Sequence, residues 1–105
     1  MIFNNDFFKI TRTGRDYDFA LVIENKCDEQ LTFDGGDYFD NFTIKPKDWV
    51  GIGAGSILVN VFENLENFDT YYNEEQDEEE EQGYHIEIDN NYLSDIYEKY
   101  YNWED

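Results

Sequence analysis

A chain of 105 residues that is 40% hydrophobic and 19% aromatic can bury one core as one domain, which excludes a wholly disordered acidic chain. Its net charge of −19 weighs against direct binding to nucleic acid or to an anionic membrane, both of which it would repel. The lone cysteine, Cys27, excludes an internal disulfide and suits a reducing compartment.

Met1-Ile-Phe-Asn-Asn-Asp lacks a basic start followed by an apolar core, so no signal peptide is expected. Residues 8–12 (Phe-Lys-Ile-Thr-Arg) alternate apolar and polar, the period of a half-buried strand. Thr13-Gly14-Arg15-Asp16 signals a turn, and residues 17–24 a strand whose Ala20-Leu21-Val22-Ile23 run suits a buried central position. The longest strictly apolar run, Phe19 to Ile23, is too short to span a bilayer, so a soluble cytoplasmic protein is expected. Asn25-Lys26-Cys27-Asp28-Glu29 reads as a polar connection and Leu31-Thr32-Phe33 as a short strand. Asp34-Gly35-Gly36-Asp37 is a turn held by Asx hydrogen bonds, and Phe42-Thr43-Ile44 another strand. After the Lys45-Pro46-Lys47-Asp48 turn, residues 49–55 predict a strand with Val50, Ile52 and Ala54 on one face. Gly51, Gly53 and Gly55 on the other would admit an aromatic ring or another backbone.

Residues 56–62 predict the strongest strand, with Leu58, Asn60 and Phe62 on one side and Ile57, Val59 and Val61 on the other. Residues 63–83 form an acidic connection that keeps Leu65, Phe68, Tyr71 and Tyr72 as anchors, with residues 73–82 a solvated loop or helix turn. Tyr84-His85-Ile86-Glu87-Ile88-Asp89 alternates as a strand, expected to pair antiparallel with residues 56–62 across that connection. Asn90-Asn91 can cap a helix in which Leu93, Ile96, Tyr97, Tyr100 and Tyr101 make one apolar stripe. Trp103 would pack back, and Glu104-Asp105 would fray.

The expected architecture is a mostly β single domain, a small antiparallel β-sandwich or barrel of about seven strands with one C-terminal amphipathic helix. It divides into a β scaffold (1–62), the acidic connection (63–83) and a strand plus helix (84–105). The succession Ile23-Glu24-Asn25-Lys26, Leu31-Thr32-Phe33 and Phe42-Thr43-Ile44-Lys45-Pro46 resembles immunoglobulin-like sandwiches, which bears on fold alone.

No enzymatic signature stands out. His85, the only histidine, sits in a strand pattern on the side opposite Tyr84 and Ile86, and is expected on the solvent face. Gly51-Ile-Gly-Ala-Gly55 lacks the spacing and following helix of a nucleotide-binding loop. The acids of residues 34–40 do not follow the calcium-loop pattern, so no metal or cofactor is expected.

The charge is placed one-sidedly. Residues 1–47 hold nine acids and six bases, whereas residues 48–105 hold seventeen acids and only Lys99. Seven of the eight residues from Glu74 to Glu81 are carboxylates, and seven of the nine tyrosines lie in or after this region. In an extended segment same-side carboxylates recur about every 6.6 Å, and on a helix about every 6 Å; both approximate the spacing of phosphates along a nucleic-acid strand. The stretch Tyr71-Tyr72-Asn73-Glu74-Glu75-Gln76-Asp77-Glu78-Glu79-Glu80-Glu81 and the Tyr-rich tail resemble the acidic DNA mimics that phages use against host defence, the anti-CRISPR and anti-restriction proteins. Abundant Ile, Asn, Phe and Tyr fit an AT-rich genome, as in many phages and low-GC bacteria.

The resemblance implies a non-enzymatic inhibitor occupying the basic nucleic-acid channel of a host nuclease, without binding nucleic acid or membrane itself. Its expected contacts are Glu63, Glu66, Asp69, Tyr71, Tyr72, Glu87 and Asp89 as an anchored rim, with Glu74, Glu75, Asp77, Glu78, Glu79, Glu80 and Glu81 as a steering field. The alternatives are an immunity protein capping a basic toxin nuclease, or an accessory phage protein with a solubilising acidic loop.

Overall fold

The computed structural model describes residues 2–13, 18–74 and 82–101, which form eight strands and two helices. In chain order these are β1 (Phe3–Asn4), β2 (Phe8–Arg12), β3 (Phe19–Asn25), β4 (Leu31–Gly35), β5 (Phe39–Ile44), β6 (Trp49–Gly53), α1 (Leu58–Glu63), β7 (Phe68–Asn73), β8 (Gly83–Ile88) and α2 (Asn90–Tyr101). The strands make two four-stranded sheets in a sandwich-like arrangement, β1-β2-β3-β6 and β5-β4-β8-β7. The mostly β fold with a C-terminal helix is therefore as its sequence pattern indicates. The Gly14–Asp16 turn, Tyr17, residues 75–81, Trp103 and Glu104-Asp105 lie outside the described residues.

Alternation along the strands supplies the core. Phe8 and Ile10 of β2, Leu21 and Ile23 of β3, Leu31 and Phe33 of β4, and Ile86 and Ile88 of β8 are all buried. Phe8 meets Phe33 edge-on at 5.2 Å, and Phe33 meets Phe62 of α1 edge-on at 5.5 Å. This aromatic relay joins the first sheet, the second sheet and α1, each pair adding about 0.5–1.5 kcal/mol beyond its buried area. Asn25 is the polar member of the interior: its Nδ2 donates to the carbonyls of Glu29 (2.8 Å), Ile44 (3.0 Å) and Lys45 (3.1 Å), and its Oδ1 accepts from the Cys27 N–H. It ties β3 of the first sheet to the end of β5 in the second.

Several expectations are corrected. Residues 56–62 are not a strand; most of them enter α1. Leu58, Val61, Phe62 and Leu65 also follow an i, i+3, i+4, i+7 spacing, so the segment fits both periods. The helix buries Val61 and Phe62, exposes Asn60, and packs against β3, β6 and α2. The Ser56 hydroxyl accepts from the Leu58 N–H (3.1 Å) at its start. Tertiary packing here overrides the β preference of its two valines.

The acidic connection is interrupted by a strand, β7, which takes the partner role assigned to residues 56–62: β7 and β8 pair antiparallel from Phe68↔Ile88 to Asn73↔Gly83. On its other side β8 runs parallel to β4, so the sheets are not wholly antiparallel. Asp89, rather than Asn90 or Asn91, caps α2, its Oδ2 accepting from the Tyr92 N–H (3.2 Å). Ala54 lies in an exposed turn after β6, while Val50 and Ile52 face inward as expected. Of the three glycines, Gly51 receives an aromatic ring: a Cβ there would lie 2.4 Å from the ring of Phe19.

Candidate functional site

Pairing the strands sorts charge between the two sheets. The first sheet's strands contain Lys9, Arg12 and Glu24. The second sheet's strands contain Asp34, Asp40, Asp69 and Glu87, with no Lys or Arg. Residues facing the core alternate with residues facing out, so Leu31, Phe33, Ile86 and Ile88 turn inward while their neighbours turn outward.

The outward positions align across strands. Asp34 of β4 pairs with Glu87 of β8, and Glu87 pairs with Asp69 of β7. Three carboxylates thus stand abreast at the spacing of neighbouring strands, about 4.8 Å. Asp69 and Glu87 are exposed. Asp34 is half-buried and its Oδ1 accepts from the Gly36 N–H (2.8 Å), the Asx turn its sequence predicts. Like charges directly opposite one another destabilise a sheet, so this row has a cost to the fold. Beside it, Asp69 and Glu87 share a cleft of about 450 Å³ with Glu66 and Asp89. Glu66 is exposed after α1, and Asp89 is exposed at the start of α2.

The next row of the same face runs Thr43, Thr32, His85 and Tyr71. His85 lies opposite Tyr84 and Ile86 as expected, but it is only 5% exposed, which corrects the expectation that it meets solvent. β8 is a central strand, so Thr32 and Tyr71 flank the imidazole from both neighbouring strands. The Tyr71 ring stacks on it at 5.2 Å and 21°. Tyr71 stays 41% exposed and forms an aromatic step next to the carboxylate row.

The remaining predicted residues separate from this surface. Glu63 pairs with Arg12 of the first sheet (2.6 Å) and is not a free contact. Tyr72 points to the opposite side of β7 from Tyr71. Its ring lies edge-on to Tyr84 at 5.0 Å, and its hydroxyl donates to Glu29 Oε2 (3.5 Å) and accepts from Gln82 Nε2 (3.4 Å). Glu74 is exposed just beyond β7, while Glu75, Asp77, Glu78, Glu79, Glu80 and Glu81 lie outside the described residues. Both ends of that segment are held, because Asn73 and Gly83 pair.

Sequence reasoning missed Asp34 as a member of this surface. It lies in the mixed-charge half of the chain, and only the non-local parallel pairing of β4 with β8 brings it beside Glu87. Tyr92 ties α2 to α1: its hydroxyl donates to the Val61 carbonyl (2.5 Å). Burial, and then the nearby Glu66 carboxylate, push its pKa up to about 12. Burial also raises the Cys27 thiol, whose Sγ lies 3.5 Å from the Phe7 carbonyl.

Among the described residues, no group of three or more His, Cys, Asp or Glu is arranged to hold a metal ion, and no helix is long and apolar enough to cross a membrane. No protein-family model, curated protein or solved structure matches the chain.

Proposed function

We propose that this protein is a non-enzymatic inhibitor that offers DNA-like charge to the basic nucleic-acid-binding channel of a host defence nuclease, such as a CRISPR effector or a restriction enzyme. The observation that carries this reading is the Asp34–Glu87–Asp69 row on a sheet whose strands hold no Lys or Arg. Carboxylates abreast repel one another, and a sheet that keeps them without a cation gives up stability for the field they make. A channel lined with Lys and Arg evolved to neutralise phosphates would neutralise this row instead, releasing its counterions as it does with nucleic acid. Tyr71 adds a short-range aromatic contact in the adjacent row, of the kind enriched at interface hot spots. The acidic segment that starts at Glu74 adds long-range steering.

The test is competition between this protein and labelled DNA for purified CRISPR effectors and restriction endonucleases. Displacement of DNA is expected, weakening at least tenfold between about 50 and 500 mM salt as the charges are screened. The triple variant Asp34→Asn, Asp69→Asn, Glu87→Gln keeps the side-chain shapes and the Asx turn, and should lose most of the displacement. Displacement indifferent to both salt and the triple variant sinks the proposal.

A further inference from the structure

The four edges of the two sheets differ in how open they are to another strand. β1 is only two residues long. β5 and β6 each pair with their neighbour through a break in register, between Phe33 and Gly35 for β5 and between Phe19 and Leu21 for β6. Short strands and bulges are common means of closing an edge to further pairing. β7 has neither. It pairs with β8 residue for residue from Phe68 to Asn73, and no strand lies beyond it among the described residues. The adjoining pair fixes its hydrogen-bonding phase, since the Asn67 carbonyl accepts from the Asp89 N–H (3.0 Å). Bonded pairs alternate along an antiparallel ladder. Asp69, Tyr71 and Asn73 therefore direct their N–H and C=O to β8, while those of Phe68, Thr70 and Tyr72 point outward past the edge.

We infer that this edge takes an extended segment of the partner protein as a fifth strand, one that alternates Lys or Arg with apolar residues. The inference rests on the function proposed above in taking the partner to be basic. Backbone bonds to Phe68, Thr70 and Tyr72 supply the pairing, and alternate side chains the selection. The added residue opposite Asp69 becomes the fourth in the row Asp34–Glu87–Asp69, where a cation offsets the repulsion among the three carboxylates. Two residues along on that face, the added strand passes Tyr71, which stacks on His85 and stays 41% exposed. On its other face it passes Phe68, half-buried edge-on to Phe3 at 5.6 Å, and the exposed ring of Tyr72. Those rings suit the apolar residues in between. Charge disfavours the other source of a strand, a second copy, which at −19 repels its twin. Antiparallel pairing of β7 with itself centred on Thr70 brings Glu66 of each copy opposite Glu74 of the other, and centring it on Asp69 sets those two carboxylates face to face.

The probe is a capped peptide of alternating Lys and Val, long enough to span the six residues of β7. It is titrated into the whole protein and followed by calorimetry and amide hydrogen exchange. Binding should slow exchange at Phe68, Thr70 and Tyr72 by about tenfold, leaving Asp69, Tyr71 and Asn73, already bonded to β8, unchanged. Two analogues methylated on backbone nitrogen, one at every Val and one at every Lys, keep the charge but remove the donors along one edge. One of them should bind about fivefold more weakly or worse. Glu in place of Lys should abolish binding. Thr70→Pro removes an N–H that faces away from β8, a position where an edge strand accepts proline, and should weaken the peptide about fivefold. The methylated pair keeps the test open if that variant does not fold. Lack of binding up to about 1 mM peptide at low salt overturns the inference. So does equal protection of both sets of amides, undiminished affinity of both methylated analogues, undiminished affinity of folded Thr70→Pro, or equal binding of the Glu peptide. Displacement of DNA is read without the peptide, so either proposal can fail while the other stands.

Discussion

At the scale of single residues, the interior depends on polar groups that find several partners. Asn25 is 1% exposed and its amide reaches three carbonyls that end strands or loops of the second sheet. Asn25→Ala should cost roughly 2–4 kcal/mol in urea denaturation, since it strands the carbonyls in a dry site and opens a void. A loss under 1 kcal/mol would mean that water replaces the amide. Tyr92 gives a prediction in pH. Its phenol ionises near 12 when folded, chiefly through burial, against an ordinary value of 10.0. The folded state therefore holds its proton more tightly, and the stabilisation is present below pH 10 and lost as pH rises through 12. Tyr92→Phe should lower stability near neutrality by about 1 kcal/mol, through loss of the bond to the Val61 carbonyl. It should also flatten the alkaline part of the stability curve between pH 10 and 12. An unchanged alkaline slope would assign that loss to other tyrosines. Neither role is legible locally: Asn25 reads as the start of a polar connection, and Tyr92 as one member of a tyrosine-rich helix.

At the scale of elements, β7, β8 and β4 set side by side residues that bear on stability and, under the proposed function, on binding. Glu87 has a carboxylate on each side, Asp34 and Asp69. Glu87→Gln should stabilise the fold by roughly 0.2–1 kcal/mol at low salt, a gain that fades as salt is added. The same change should weaken binding to a basic partner. A neutral or negative effect on stability would show that the row is not under repulsion. β7 was hidden in the sequence because Phe68-Asp69-Thr70-Tyr71-Tyr72-Asn73 sits inside an acidic stretch, and its alternation is short. The sequence of α1 is ambiguous for a different reason: a segment apolar at both strand and helix periods is decided by what it packs against.

At the scale of the whole molecule, the sandwich separates an acidic sheet from one whose strands carry Lys9, Arg12 and Glu24. Charge close to the docking surface governs how long a complex lasts, while charge farther out governs how fast it forms. Replacing the acids of residues 75–81 by Ser and Gln at constant length should therefore lower the association rate with a basic partner about tenfold and leave dissociation nearly unchanged. Stopped-flow or surface-binding kinetics would separate the two. A large rise in dissociation rate instead would place the specific contacts in that segment rather than in the row.

The sequence by itself determined the mostly β class, six of the strands (β2 to β6 and β8), the C-terminal helix and the surplus of acid toward the end of the chain. All of these follow from local period and composition, which a short window of residues carries. Tertiary structure alone decided that residues 58–63 are helical, that β8 lies between β4 and β7, and that His85 is sheltered. It also decided that Asp34 joins Glu87 and Asp69, while Glu63 and Tyr72 turn elsewhere. The physical reason is that strand register is fixed by partners distant in sequence. The acidic face is a property of that pairing, whereas the acidic run is a property of the chain.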